Sequence, residues 1–260
     1  MPTESRSQRE IVRFEDKNAL SWDAAYRFTA LATMSVQAGR PFTVALSGGS
    51  TPAILYRLLA ASPFREALSW RAIHLFFGDE RCVPTDSPDC NYHMAFETLI
   101  SQIGIPAQNV HRMPGDLADR DAAARQYEAE LRAFFPLSEG EWPRFDLVFL
   151  GMGPDGHCAS LFPHKPALQE RQRLVVATDP GLPPLVPRLT LTLPVLNNAA
   201  HVLFLVAGAD KAETLARVLE GPPDPEALPS QNIAPTDGAL TWLIDKDAAA
   251  LLNCSPRPAH

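Results

Sequence analysis

No run of apolar residues in this 260-residue chain approaches the roughly 18 that a membrane-spanning helix needs. A basic surplus is missing as well. The 30 Asp and Glu outweigh the 23 Lys and Arg, for a formal charge of -7, whereas a nucleic-acid surface needs a basic stripe to neutralise backbone phosphates. Cysteine is sparse: Cys82, Cys90, Cys158 and Cys254 include no C-x-x-C pair. Free thiols in a reducing compartment fit that spacing better than zinc ligands or a disulfide framework. The N-terminal stretch Met1-Pro-Thr-Glu-Ser-Arg6 lacks the apolar core of a secretory signal. These absences give the expectation of a cytoplasmic protein with no membrane, nucleic-acid or metal partner. No long apolar surface stripe is visible either, so a monomer is the default.

The chain does carry enough apolar side chain, 46% by composition, to bury a sizeable core. One domain over residues 1–260 is expected. Strand-like apolar segments recur at Thr43–Ser47, Ile73–Phe77, Asp146–Leu150, Leu174–Ala177, Leu189–Thr192 and Val202–Val206. Helical stretches fall at Ser21–Ala38, Thr51–Ala60, Asn91–Ser101, Ala118–Phe135, Lys211–Leu219 and Lys246–Leu252. The alternation places the fold in the α/β class, with a Rossmann-like, mainly parallel sheet flanked by helices. Leu189-Thr-Leu-Thr-Leu193 alternates apolar and hydroxyl residues and reads as an edge strand, antiparallel in a mixed sheet. Prolines cluster at Pro180–Pro187 and Pro222–Pro229, which read as rigid surface loops.

Phe145-Asp-Leu-Val-Phe-Leu-Gly-Met-Gly-Pro-Asp-Gly-His157 is the richest segment, a buried strand running into a glycine turn with Asp155 and His157. Gly151, Gly153 and Gly156 spell G-x-G-x-x-G, and Asp179 stands about where a ribose-binding acid would. A dinucleotide loop needs a full helix after its last glycine, and Pro163 and Pro166 leave room for only about two turns. No cofactor is therefore expected. An imidazole beside a carboxylate in a glycine loop points instead to proton transfer near neutral pH.

Polar residues follow other strands too. Ser47-Gly48-Gly49-Ser50-Thr51-Pro52 joins a strand to a helix, where backbone N–H groups and hydroxyls suit an anion. It lacks the lysine and spacing of a nucleotide P-loop, and by itself reads equally well as a capped turn. Asp79-Glu80-Arg81 brings two carboxylates and a guanidinium to a strand end, suited to sugar hydroxyls or phosphate, or to a solvated salt-bridged turn. Arg188 opens a strand, and Lys211 opens a helix against its macrodipole, a placement that a bound anion would offset. His74, His111 and His201 sit near apolar runs and read as structural, as does Cys158.

Taken together and in order, Val44–Pro52, Phe77–Arg81, Asn91-Tyr92, Gly151–Pro163, Arg188–Thr190, Gly208–Ala212 and Asp237–Trp242 resemble the 6-phosphogluconolactonase family. The resemblance covers nearly the whole chain. It implies the sugar-phosphate isomerase/lactonase fold and hydrolysis of 6-phosphoglucono-δ-lactone in the oxidative pentose phosphate pathway, without a metal or nucleotide. It also implies His157 as the proton carrier, oriented by Asp155. Phosphate would rest on Ser47, Gly48, Gly49, Ser50 and Thr51 with Arg81, Arg188 and Lys211. Asp79 and the loop glycines Gly151, Gly153 and Gly156 are candidate substrate and oxyanion contacts.

The related glucosamine-6-phosphate deaminases carry a glutamate five residues after the histidine, where this chain has Phe162, and Asp-Glu-Tyr where it has Asp79-Glu80-Arg81. A sugar-phosphate sensor is a further alternative, without a helix-turn-helix or basic segment to support it. Within the lactonase pattern, Cys90, Cys158 and His164 replace the usual serine, threonine and glycine. His164 is thereby expected to bring a second imidazole near the site.

Overall fold

The computed structural model describes residues 9–253 and 257–258, so Cys254 and the Met1–Arg6 segment lie outside the described residues. In chain order the strands are β1 (Arg9–Phe14), β2 (Phe42–Leu46), β3 (Ile73–Phe77), β4 (Asp79–Arg81), β5 (Leu147–Leu150), β6 (Val175–Thr178), β7 (Arg188–Leu191), β8 (His201–Val206), β9 (Ala239–Asp245) and β10 (Arg257–Pro258). The α-helices are α1 (Lys17–Gln37), α2 (Ser50–Leu59), α3 (Phe64–Ala67), α4 (Asn91–Thr98), α5 (Arg120–Phe134), α6 (Leu193–Asn197) and α7 (Ala212–Glu220). Seven strands form a parallel sheet in the order β10-β1-β9-β8-β5-β2-β3, and a separate antiparallel sheet runs β4-β7-β6. No helix among the described residues is long and apolar enough to cross a membrane.

Every residue of β2 and β5 is buried, as the continuous apolar sequences of central parallel strands require. On one face, α1 starts at an Asp16 cap whose carboxylate accepts the N–H groups of Asn18 and Ala19. Its stripe of Leu20, Ala24, Phe28 and Ala32, four residues apart, is buried. The Phe28 ring stands edge-on to Phe42 of β2 at 5.2 Å and stacks with Phe149 of β5 at 6.3 Å. On the other face, Phe76 of β3 meets Phe134 of α5 at 5.1 Å and Phe145 at 5.3 Å. Each such ring contributes about 1.5–3 kcal/mol by leaving water.

The α/β class and the parallel sheet are as expected, but four local expectations are corrected. Leu189–Thr192 is not an edge strand: β7 lies between β4 and β6, and Thr190 and Thr192 are buried. Thr192 is satisfied there by donating to the Arg173 carbonyl at 2.8 Å. The antiparallel strands form their own sheet instead of joining a mixed one. Lys246–Leu252 forms successive turns, because the Ala250 and Leu252 amides bond carbonyls three residues back, at Asp247 and Ala249. No helix follows Gly156; Cys158 and Leu161 close a tight turn through a 3.0 Å bond from the Leu161 amide to the Cys158 carbonyl.

His74 and His111 have a structural setting. Their rings meet at 3.1 Å between Nδ1 and Nε2, and His111 Nδ1 lies 2.7 Å from a Glu130 oxygen, packed under Phe76. Burial, with the adjacent His111 adding to it, holds the His74 imidazole below its ordinary value of 6.5. A histidine depressed in the fold contributes stability that is fully present above the unfolded value and lost as pH falls through the folded value. Urea midpoints measured between pH 7.5 and 5 are expected to drop for the native chain and to fall less steeply for His74→Gln. Parallel pH profiles for the two proteins would contradict that account.

Candidate active site

Four strands of the parallel sheet, β8, β5, β2 and β3, are neighbours, and their carboxyl ends open on one edge. The chain leaves β2 toward β3 on one side and β5 lies on the other, so β2 and β5 flank the switch point where such sheets bind ligands. Ser47 follows β2, Asp79 follows β3, Gly151 follows β5, and Lys211 follows β8 after a short connection. A cavity of about 440 Å³ lies at this edge, of a size usual for small-molecule sites. Ser47, Gly48, Asp79, Arg81, Gly151, Gly153, His157, Arg188 and Lys211 line it. Gly49, Ser50 and Thr51 open α2 behind Gly48, with Thr51 buried, and are not in the wall. The strand end is fixed to α2 by the Tyr56 hydroxyl, which accepts from the Ser47 N–H at 3.0 Å and donates to its carbonyl at 2.8 Å.

Asp155 lies behind His157, outside the wall, and its Oδ1 is 2.6 Å from His157 Nδ1. Burial pushes the Asp155 carboxyl up, but the hydrogen bond and charge of His157 outweigh it and leave the group below its ordinary value. An ionised carboxylate only accepts, so Nδ1 carries a ring hydrogen, and in the neutral form of the imidazole Nε2 holds the lone pair. The turn closes through the Gly153 amide donating to the His157 carbonyl at 2.9 Å. A side chain at 153 would place its Cβ 2.1 Å from the imidazole, and Gly156 adopts a φ of +83°. Of the glycines of the pseudo-dinucleotide motif, Gly153 thus makes room for the histidine and Gly156 supplies the left-handed turn before it. Phe162 packs on the imidazole with ring centres 4.5 Å apart.

The cationic side of the cavity is under electrostatic load. Arg81 and Arg188 face each other across the antiparallel β4–β7 ladder. Like charges in such a pair destabilise it. Arg188 is 3% exposed. Its Nη2 donates to the Pro184 carbonyl at 2.9 Å, while Nε and Nη1 have no partner. Burial, then the charge of Arg81, lowers its proton affinity against the opposing pull of Asp79. Arg81 donates to the Asp89 carbonyl at 2.7 Å, and Lys211 pairs with Asp210 at 2.9 Å. An anion in the cavity would satisfy the free Arg188 donors and offset the repulsion.

The two carboxylates after β3 part company. Asp79 faces the cavity and accepts from the Ser160 hydroxyl at 2.6 Å and the Asn91 amide at 3.3 Å. Glu80 turns inward, 1% exposed. It accepts the N–H groups of Arg81, Asn91 and Tyr92, and so caps α4. Burial raises its carboxyl to about 6. His164 corrects a further expectation, being exposed at a φ of +59° and outside the cavity wall. Leu182 and Pro183 also line the wall. The proline-rich stretch read as a plain surface loop therefore also shapes the site, a role its position just before Arg188 would have suggested.

An open parallel sheet with an imidazole–carboxylate pair, a buried arginine and two further cations at its switch point defines an enzyme for a small anionic ligand. A family model described as glucosamine-6-phosphate isomerases/6-phosphogluconolactonase matches residues 15–242, and the chain belongs to that family. It is 47% identical over 207 residues to a Synechocystis protein named 6-phosphogluconolactonase, covering 79% of this chain and 82% of the relative. A Nostoc protein of the same name is 46% identical over 226 residues, covering 86% and 90%. The solved 6-phosphogluconolactonase from Trypanosoma cruzi superposes with a TM-score of 0.84 at 32% identity, over 95% of this chain and 98% of that one.

The two unpartnered donors of Arg188 yield a test that needs no substrate. Millimolar inorganic phosphate should raise the melting temperature of the native chain. Arg188→Met, which replaces a buried charge with an apolar side chain of similar length, should melt within a few degrees of it without phosphate and gain nothing from phosphate. An undiminished phosphate effect in the variant would remove Arg188 from the anion site.

Proposed function

We propose that the chain hydrolyses 6-phospho-D-glucono-1,5-lactone to 6-phospho-D-gluconate in the oxidative pentose phosphate pathway. Support comes from its family, from the relatives of that name, and above all from one observation: the 2.6 Å Asp155–His157 bond at the cavity edge. With Nδ1 committed to Asp155, Nε2 of His157 takes a proton from water as its oxygen attacks C1 of the lactone. A C1–O bond forms, and the carbonyl electrons move onto the carbonyl oxygen. The N–H groups of the Gly151–Gly156 turn that are not spent on closing it, as those of Gly153 and Gly156 are, are the proposed donors to that oxyanion. As the carbonyl re-forms, the bond from C1 to the ring oxygen breaks, and Nε2 returns its proton to that oxygen, which becomes the C5 hydroxyl. The acid product then ionises. One imidazole thus serves first as base and then as acid.

Arg81, Arg188 and Lys211, with the Ser47–Thr51 turn, are proposed to hold the 6-phosphate and so position the remote lactone carbonyl. Asp79, steadied by Ser160 and Asn91, is the proposed acceptor for a sugar hydroxyl. A monomer is proposed as the working unit. The free Cys82, Cys90 and Cys158 support a cytoplasmic setting. Phe162 puts an aromatic ring against His157 at the position of the deaminases' relay glutamate, which favours lactone hydrolysis over deamination.

His157→Ala should lower turnover by about 10²–10⁴ while 6-phosphogluconate still binds; near-normal turnover would overturn the assignment. Arg188→Ala or Lys211→Ala should weaken 6-phosphogluconate binding more than gluconate binding. Equal losses for both ligands would make these cations structural.

A further inference from the structure

Thr214 holds the acid–base turn from outside. It lies in the first turn of α7, three residues after Lys211, and is 7% exposed. A threonine hydroxyl within a helix ordinarily bonds back to a carbonyl of its own helix. Thr214 Oγ1 instead donates to the Pro154 carbonyl, sixty residues away in sequence, at 2.6 Å. That carbonyl belongs to the peptide group leading directly into Asp155, so its orientation sets the direction in which the Asp155 side chain leaves the backbone.

The other contacts of the turn show why an outside hold matters. The bonds from the Gly153 amide to the His157 carbonyl and from the Gly156 amide to the Gly153 carbonyl close the turn on itself. Neither bond engages the Pro154 carbonyl, and within the turn the Asp155 carboxylate is otherwise held by the His157 N–H at 3.2 Å and by the imidazole. The far end of the arc is fixed by the Ser230 amide donating to the Gly156 carbonyl at 2.9 Å. The Thr214 methyl lies 3.5 Å from the place a Cβ would take on Gly156. The Thr214 hydroxyl therefore holds the peptide just before Asp155, and its methyl faces the open side of Gly156 just after it. On the same helix, Lys211 reaches into the cavity.

We propose that Thr214 is a positioning residue, which fixes the Asp155 carboxylate against His157 Nδ1 and ties the acid–base turn to the helix that begins at Lys211. It does not touch substrate. Displacing a reacting group by about 1 Å can cost on the order of 10²-fold in rate, and rotation of one peptide is enough to move Asp155 that far. The kinetic part of the inference rests on the proposed lactonase reading; the structural part does not.

Thr214→Ser and Thr214→Ala differ by the hydroxyl alone, and Thr214→Val restores the shape without the donor. The ¹⁵N spectrum of His157 reports which ring nitrogen carries hydrogen in the neutral protein. The native chain and Thr214→Ser should show the Nδ1–H form, and Thr214→Ala and Thr214→Val a shift toward the Nε2–H form that free imidazole prefers. With 6-phosphogluconolactone, the Ala and Val variants should lose about 10- to 100-fold in kcat with KM within about 2-fold, and Ser should restore most of it. An unchanged tautomer in Ala and Val, or equal kcat losses in Ser and Ala, would overturn the proposal. If the native chain fails to hydrolyse the lactone, the lactonase reading fails, and the tautomer comparison still decides the role of Thr214.

Discussion

Parallel pairing of β2 with β5 is the constraint on which the site depends. Parallel strands place their carboxyl ends on one edge, and the chain departs from β2 and β5 in opposite directions, so no connection covers the gap between them. The Ser47 turn and the Gly151–His157 turn meet there because their strands are in register, with Val44 opposite Leu147 and Ala45 opposite Val148. The Phe28 ring, packed against Phe42 and Phe149, joins the same two strands from below. A slip of this pair would separate the Ser47 end of the cavity from the Asp155–His157 end.

Around that edge, the protein keeps two kinds of polar group apart. Asp155 and His157 form a bonded pair whose glycines admit the imidazole and whose carboxylate stays ionised. Arg188 is buried with two donors unpartnered and another arginine opposite it across the ladder. Unpaired buried charge is costly, and its persistence on a cavity wall is best understood through the anion that would complete it. Asp79 offsets part of the cost, and is itself fixed by Ser160 from the His157 segment and by Asn91 from α4. Glu80, one residue on, serves the architecture alone by capping α4, which keeps Asn91 in place.

Most of this was legible in the sequence where function is local. Asp155, His157, Arg81, Arg188 and Lys211 each follow or open an apolar strand or a helix, and each stands in or behind the cavity wall. The features that escaped depend on partners distant in sequence. Glu80 and Asp79 are adjacent and chemically alike, and only the position of α4 separates their roles. Leu189–Leu193 alternates as a half-exposed strand does, yet it is buried throughout and its β7 part lies between β4 and β6 in a second sheet. The strands β1 and β9, which pair along Arg9–Phe14 and Ala239–Asp245, are harder to read because charged residues interrupt the apolar pattern of the first and the second begins inside the Asp237–Trp242 motif. Thr214 looks like any helical threonine until Pro154 is brought against it.

The central claim is that this edge accelerates opening of a phosphorylated sugar lactone. Its most direct measurement follows freshly generated 6-phosphogluconolactone with and without the native protein, against spontaneous hydrolysis in the same buffer. The account predicts rapid, saturable loss of lactone with stoichiometric appearance of 6-phosphogluconate. Decay at the spontaneous rate, with the protein folded and binding phosphate, would contradict it.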